Sequence, residues 1–277
     1  MNIQIISKTD LPSHWLTLWP HHQTASVPPA PVDIQLELTP MPDWYSGFDT
    51  DGDFFYQTNA KNEVTQIRIE HPFFWVELAA TQPASAYHGQ VTIRQNGLWP
   101  MIMLIRACLA LLAVLRNQVM WHASGVVRNG RLWAFSGPAE SGKTTIVEKL
   151  NNGGQVFSID RIVLNNDTTA ATGVIAAGTP FSDETGQHLP CPSMPLSGIC
   201  FIEKSNAAAS VRKLPVEEFL SRFLNELLVF RKDAGIMMSL MDLAARIYET
   251  IPVYHLRFPL NETFWPLIDT PGASNGN

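Results

Sequence analysis

The stretch Leu132-Trp133-Ala134-Phe135-Ser136-Gly137-Pro138-Ala139-Glu140-Ser141-Gly142-Lys143-Thr144-Thr145 decides the fold. Its apolar start, Leu132–Phe135, reads as a strand, and Gly137 to Thr144 match G-x-x-x-x-G-K-[ST] ahead of a helical segment at Thr145–Leu150. Strand, glycine-rich loop and helix in that order form a phosphate cradle. The glycines let successive backbone N–H groups point at phosphate oxygens, the helix N-terminus adds partial positive charge, and Lys143 neutralises the β- and γ-phosphates. The expected nucleotide contacts are therefore Gly137, Pro138, Ala139, Glu140, Ser141, Gly142, Lys143, Thr144 and Thr145, with ATP or GTP as ligand. Thr144 also offers its hydroxyl to Mg²⁺.

Such a loop needs a carboxylate from a neighbouring strand to complete the metal site. Asp160 is the candidate, in Gln155-Val156-Phe157-Ser158-Ile159-Asp160-Arg161, at a separation that one short helix and a return strand can span. The competing interpretation is a turn aspartate between two strands. His122, in Trp121-His122-Ala123-Ser124-Gly125, lies on the strand before the phosphate-loop strand, where a hairpin could carry it to the γ-phosphate; taken alone, a histidine there is more often a packed core residue.

Outward from this centre, Val119–Val127 and Arg131–Ser136 form a hairpin about Asn129-Gly130, a strong turn signal. Downstream, β-type runs at Gln155–Phe157, Arg161–Leu164, Gly198–Ile202 and Val253–Phe258 alternate with helices from Pro215 to Phe230 and over Met237–Thr250, with a loop-rich stretch from Asp167 to Pro195. Upstream, short runs at Asp53–Thr58, Val64–Glu70, Phe73–Leu78 and Gln90–Arg94, with another at Asp33–Leu38, suggest an accessory antiparallel sheet. The expected fold is α/β: a β-rich accessory region at 1–97, a P-loop nucleotide-binding domain at 98–268 and a flexible tail at 269–277.

The 277 residues carry 16% charged and 45% apolar side chains, against roughly 25% charge in ordinary domains. That composition excludes disorder and coiled coil. With a net charge of −6 and no Lys/Arg run, nucleic-acid binding is not expected. Three cysteines, Cys108, Cys191 and Cys200, show no metal-ligand spacing, and the N-terminus lacks a secretory pattern, so a cytoplasmic location is expected. The apolar run Trp99–Leu115 is shorter than a membrane span and carries Arg106 at its centre; it reads as a buried helix, with no membrane association. Asp49-Thr50-Asp51-Gly52-Asp53 has its glycine misplaced for a calcium loop, and His14, His21 and His22 read as solvated.

Taken together, Trp121–Val127, the Asn129-Gly130 turn, Phe135-Ser136-Gly137 and Phe157–Ile162 resemble the P-loop kinases related to HPr kinase/phosphorylase, which share a core with phosphoenolpyruvate carboxykinase. Gly178-Thr179-Pro180-Phe181, Pro195–Glu203 and Pro252–Arg257 extend the likeness over roughly residues 98 to 268. The resemblance implies transfer of the γ-phosphoryl of ATP to a serine or threonine hydroxyl of a peptide or small protein, with a precursor peptide as one such acceptor. It also implies catalytic roles for His122, Asp160 and Lys143, and Mg²⁺ held by Thr144 and Asp160. The family pairs two adjacent acids at this site, the first being the general base, and here that position is Ile159. Three outcomes stay open: Asp160 serves as the base, Asp183 or Glu184 supplies it, or the chain is a nucleotide-binding regulatory module or pseudokinase. A small-molecule acceptor and a homo-oligomeric state also stay open.

Overall fold

The computed structural model describes residues 3–7, 34–40, 53–60, 64–71, 74–80, 87–93, 98–116, 118–150, 153–167, 172–179, 193–229, 234–260 and 263–269. The chain divides into two units, Met1–Leu112 and Ala113–Asn277, so the division falls within helix α1 (Leu98–Leu115) rather than ahead of it.

The first unit holds a six-stranded sheet of β1 (Ile3–Ser7), β2 (Ile34–Pro40), β3 (Asp53–Thr58), β4 (Val64–His71), β5 (Phe74–Ala80) and β6 (Tyr87–Ile93), in the order β1-β2-β6-β5-β4-β3. Strands β3 to β6 pair antiparallel, as their short punctuated spacing predicts. β1–β2 and β2–β6 pair parallel, so the sheet is mixed and not purely antiparallel. Parallel pairing needs long connections, and the chain between these strands provides the length. β4 alternates from Ile67 onward, burying Ile67, Ile69 and His71 on one face. Among the described residues no helix is long and apolar enough to cross a membrane; α1 instead buries Leu104, Cys108 and Ala110 completely.

The second unit is built on β7 (Gln118–Arg128) and β8 (Arg131–Ser136), joined by a turn whose Asn129 and Gly130 both take positive φ, 51° and 70°. After α2 (Lys143–Glu148) come β9 (Gln155–Ser158), β10 (Arg161–Asn166), β11 (Val174–Gly178), β12 (Ser193–Lys204) and β13 (Ser210–Lys213). They are followed by α3 (Val216–Asn225), β14 (Leu227–Leu228), α4 (Ala234–Thr250), β15 (Val253–Phe258) and α5 (Trp265–Asp269). The main path runs β11-β10-β7-β8-β12-β15-β13, and an added β11–β12 pairing curls the sheet back on itself. β8, β12 and β15 run parallel. β11 lies inside the stretch expected to be loop: its five residues show no long apolar run, and pairing to β10 and β12 supplies the stability that propensity does not.

Two apolar cores cover the two faces of this sheet. β12 shows the division by alternation: Ile199 and Phe201 join the core that contains Trp121, Phe219 and Phe223, while Cys200 and Ile202 join the one that contains Trp133, Ile146 and Trp265. Helices α3 and α4 therefore cover one face, and α2 with α5 the other.

β7 is the organising strand, because it changes partner on both edges near one residue. One edge passes from β10, paired over Gln118–His122, to β9, paired over Gly125–Val127. The other passes from β14, paired at Met120 and Trp121, to β8, paired from Ala123 onward. Four chain ends meet beside His122.

Candidate functional site

Each chain end at this junction delivers a polar group. From the end of β8 the chain enters the glycine-rich loop; the Ser136 hydroxyl donates to the His122 carbonyl at 2.9 Å, fastening the loop's root to β7. Between β9 and β10 the turn presents Asp160, whose Oδ1 lies 3.2 Å from His122 Nε2. From the end of α3 comes Glu226, whose Oε2 lies 2.8 Å from His122 Nδ1. His122 is thus held between two carboxylates, one on each ring nitrogen. Arg161 Nη1 donates to Asp160 Oδ1 at 3.1 Å and stands at the edge of the same cluster.

In the loop, Gly142 adopts φ 107° and Glu140 φ 62°, left-handed conformations that turn the backbone over before α2. A Cβ on Gly142 would come within 3.0 Å of the Phe258 ring, and one on Gly137 within 2.9 Å of Ser141 Oγ and 3.0 Å of the Ile202 carbonyl. A side chain would be crowded at both glycines of the motif, and at Gly142 the backbone conformation disfavours one as well. Lys143 is buried, and its ammonium donates to the carbonyls of Gly137 at 2.5 Å and Pro138 at 3.0 Å, which folds the side chain back over the loop. Burial holds the Lys143 pKa below the ordinary lysine value; the charges of Glu226 and then Asp160 act in the opposite sense, and Arg161 adds to the lowering. Both carboxylates therefore act on the loop lysine as well as on His122. The Ser141 hydroxyl is buried in the loop with no hydrogen-bond partner among the described residues, so it can donate to a ligand oxygen without giving up a bond to them. Thr144 is exposed at the first turn of α2 and Thr145 half-buried behind it.

α2 spans six residues, fewer than two turns, so its dipole adds little, and an anion at the loop would be drawn by the loop N–H groups and Lys143. Among the described residues no three His, Cys, Asp or Glu side chains converge to hold a metal ion. Magnesium does not require such a cage: it takes one or two protein oxygens and completes its shell with phosphates and water, a pattern Thr144 and Asp160 suit chemically.

Of the residues expected from sequence, His122, Asp160 and Lys143 share this cluster, and Pro138, Ser141 and Gly142 build the loop's turn, the Ser141 N–H donating to the Pro138 carbonyl at 3.2 Å. Asp160 sits at a bend between two strands, as the competing interpretation has it, and contacts His122 from there. Ile159 is buried in the core behind the loop helix, with Phe135, Val147 and Phe258. Thr179, of the Gly-Thr-Pro element, is buried and donates to the Arg161 carbonyl at 2.8 Å; Pro180, Phe181, Asp183 and Glu184 lie outside the described residues, as do Cys191, His14, His21, His22, Asp49 and Asp51. Glu226 is the residue that sequence alone does not mark. It falls inside a helix expected to run on to Phe230, and its proximity to His122 depends on pairing between distant segments.

No protein-family model and no curated protein matches the chain. Among solved structures, the chain is similar to the Hpr(Ser) kinase/phosphatase from Coxiella burnetii at 13% identity and a TM-score of 0.28, over 51% of this chain and 86% of that one.

Proposed function

We propose that the chain is an HPr-kinase-like P-loop phosphotransferase that moves the γ-phosphoryl of ATP to a serine or threonine hydroxyl of a peptide or small protein. The observation that carries this proposal is the convergence of the glycine-rich loop, its buried lysine and a histidine flanked by two carboxylates at one strand junction. Each part has a chemical task. The loop N–H groups and Lys143 would hold and neutralise the phosphates, Thr144 and Asp160 would hold Mg²⁺, and the His122 cluster would act on the incoming hydroxyl. Bound Mg²⁺ would supply charge neutralisation across the β- and γ-phosphates. A precursor peptide is the acceptor we favour, with a cytoplasmic setting.

Lys143→Ala is expected to abolish nucleotide binding in a calorimetric titration with ATP or GTP; unchanged affinity would refute the phosphate-loop assignment. Transfer from [γ-³²P]ATP to peptides encoded beside the gene tests the reaction itself. A second proposal, a nucleotide-responsive regulatory module, is favoured by one observation: Ile159 stands in the core where an acid would stand in the family it resembles. Nucleotide binding without any labelled product would support that alternative.

A further inference from the structure

β7 alternates strictly at the junction: Val119, Trp121 and Ala123 enter one core, which leaves His122 on the opposite face, half-buried. Glu226 reaches that histidine twice. Its carbonyl accepts the His122 backbone N–H at 2.9 Å, and its carboxylate meets Nδ1 at 2.8 Å. The Glu226 backbone is itself fixed from both sides. Ahead of it, α3 is anchored by Phe223, whose ring centroid lies 5.4 Å from that of Trp121; behind it, Leu227 and Leu228 pair with Trp121 and Met120. With 18% of its side chain exposed, Glu226 is no flexible surface partner.

A neutral imidazole has one N–H and one lone pair, and the group bonded to one nitrogen decides what the other can do. Both neighbours of this ring are carboxylates, and Glu226 lies nearer its nitrogen, 2.8 Å against 3.2 Å for Asp160, so the closer acceptor holds the one hydrogen of the neutral ring on Nδ1. Position 159 can make no such contribution, because Ile159 is only 7% exposed and packed among apolar side chains. We propose that Glu226 is a positioning residue of the phosphoryl-transfer site: its carboxylate, delivered from the α3–β14 corner, fixes the ring and tautomer of His122. The assignment rests on the phosphotransferase function proposed above. Glu226 acts through His122, as the third member of a catalytic triad acts through its base.

The test uses the full chain labelled with ¹⁵N-histidine, and long-range ¹H–¹⁵N spectra that report which ring nitrogen of His122 carries hydrogen. The wild type is expected to hold its hydrogen on Nδ1. Glu226→Ala is expected to shift the population toward Nε2–H, whereas Glu226→Gln, whose amide oxygen still accepts a hydrogen bond, keeps the wild-type tautomer. At saturating ATP the rate of γ-phosphoryl release should fall about 10- to 100-fold in Glu226→Ala, the range for losing a group that orients a metal-ligating histidine, and less in Glu226→Gln. The same tautomer in wild type and Glu226→Ala, or equal rates, would overturn the assignment. Failure of the wild type to bind ATP would instead overturn the phosphotransferase function, while the spectra still decide whether Glu226 orients His122.

Discussion

Gly142 shows how narrowly one residue can constrain the loop: φ 107° strains any other residue, and the Phe258 ring 3.0 Å from a would-be Cβ must shift to admit alanine. Gly142→Ala is expected to lower stability by about 1–3 kcal/mol, the cost of a non-glycine residue forced into a sparsely populated backbone region, measured by urea unfolding. Lys143 gives a pH signature. Its folded-state pKa is lowered by burial from 10.5, so between that lowered value and 10.5 the unfolded chain binds more protons and stability rises with pH. Below that window the buried charge is a constant cost. Lys143→Met has no such titration, so the stability of wild type relative to this variant should increase as pH climbs toward 10.5; a pH-independent difference would contradict the burial argument. At this scale the sequence is most legible where chemistry is local. That Gly137 to Thr144 form a turned loop between strand and helix could be read because these pieces are contiguous, and the nearness of Asp160 because a short helix and one strand separate it from the loop. Glu226 could not, because its role arises from sheet pairing between segments about a hundred residues apart.

Among the elements, α3 connects packing to the site. Phe219 and Phe223 are fully buried on one face while Glu217 and Glu218 favour its first turn, the pattern of an amphipathic surface helix. Phe223→Ala is expected to cost about 3–5 kcal/mol and, through the displaced Glu226, to broaden the His122 resonances. Unaltered His122 spectra in a folded Phe223→Ala protein would mean that β14 alone holds Glu226. The helix was expected to reach Phe230 because Leu227, Leu228, Val229 and Phe230 continue an apolar run; it stops at Asn225 because Leu227 and Leu228 gain strand partners on β7, a tertiary contact that outweighs local propensity. β15 carries a second titrating group. Burial, and then Arg222 and Arg212, hold the His255 pKa below 6.5 despite Glu203 at 3.1 Å. The unfolded chain therefore takes up the proton first as pH falls below 6.5, and stability declines from there through the folded-state value. His255→Gln should flatten that acid-side decline in urea midpoints.

At the scale of the whole molecule, two units with separate sheets predict unfolding that is not two-state. Calorimetry is expected to show a calorimetric enthalpy exceeding the van't Hoff value, and ATP with Mg²⁺ should raise only the transition belonging to Ala113–Asn277, since a ligand stabilises the unit that binds it. A single coincident transition that shifts as one would contradict this. The α/β character of the second unit was legible in its alternation of strand and helix signals, whereas the closure of its sheet through β11 and the parallel pairing of β1 and β2 were not, because both depend on partners far along the chain. The double change of partners on β7 has a consequence for how such sites change over time. Asp160 and Glu226 arrive from different chain ends at one imidazole, so either carboxylate can be exchanged without moving the other or the glycine-rich loop. Ancestry among such sites would then be better traced by which strands abut beside the histidine than by which residue follows which in the motif.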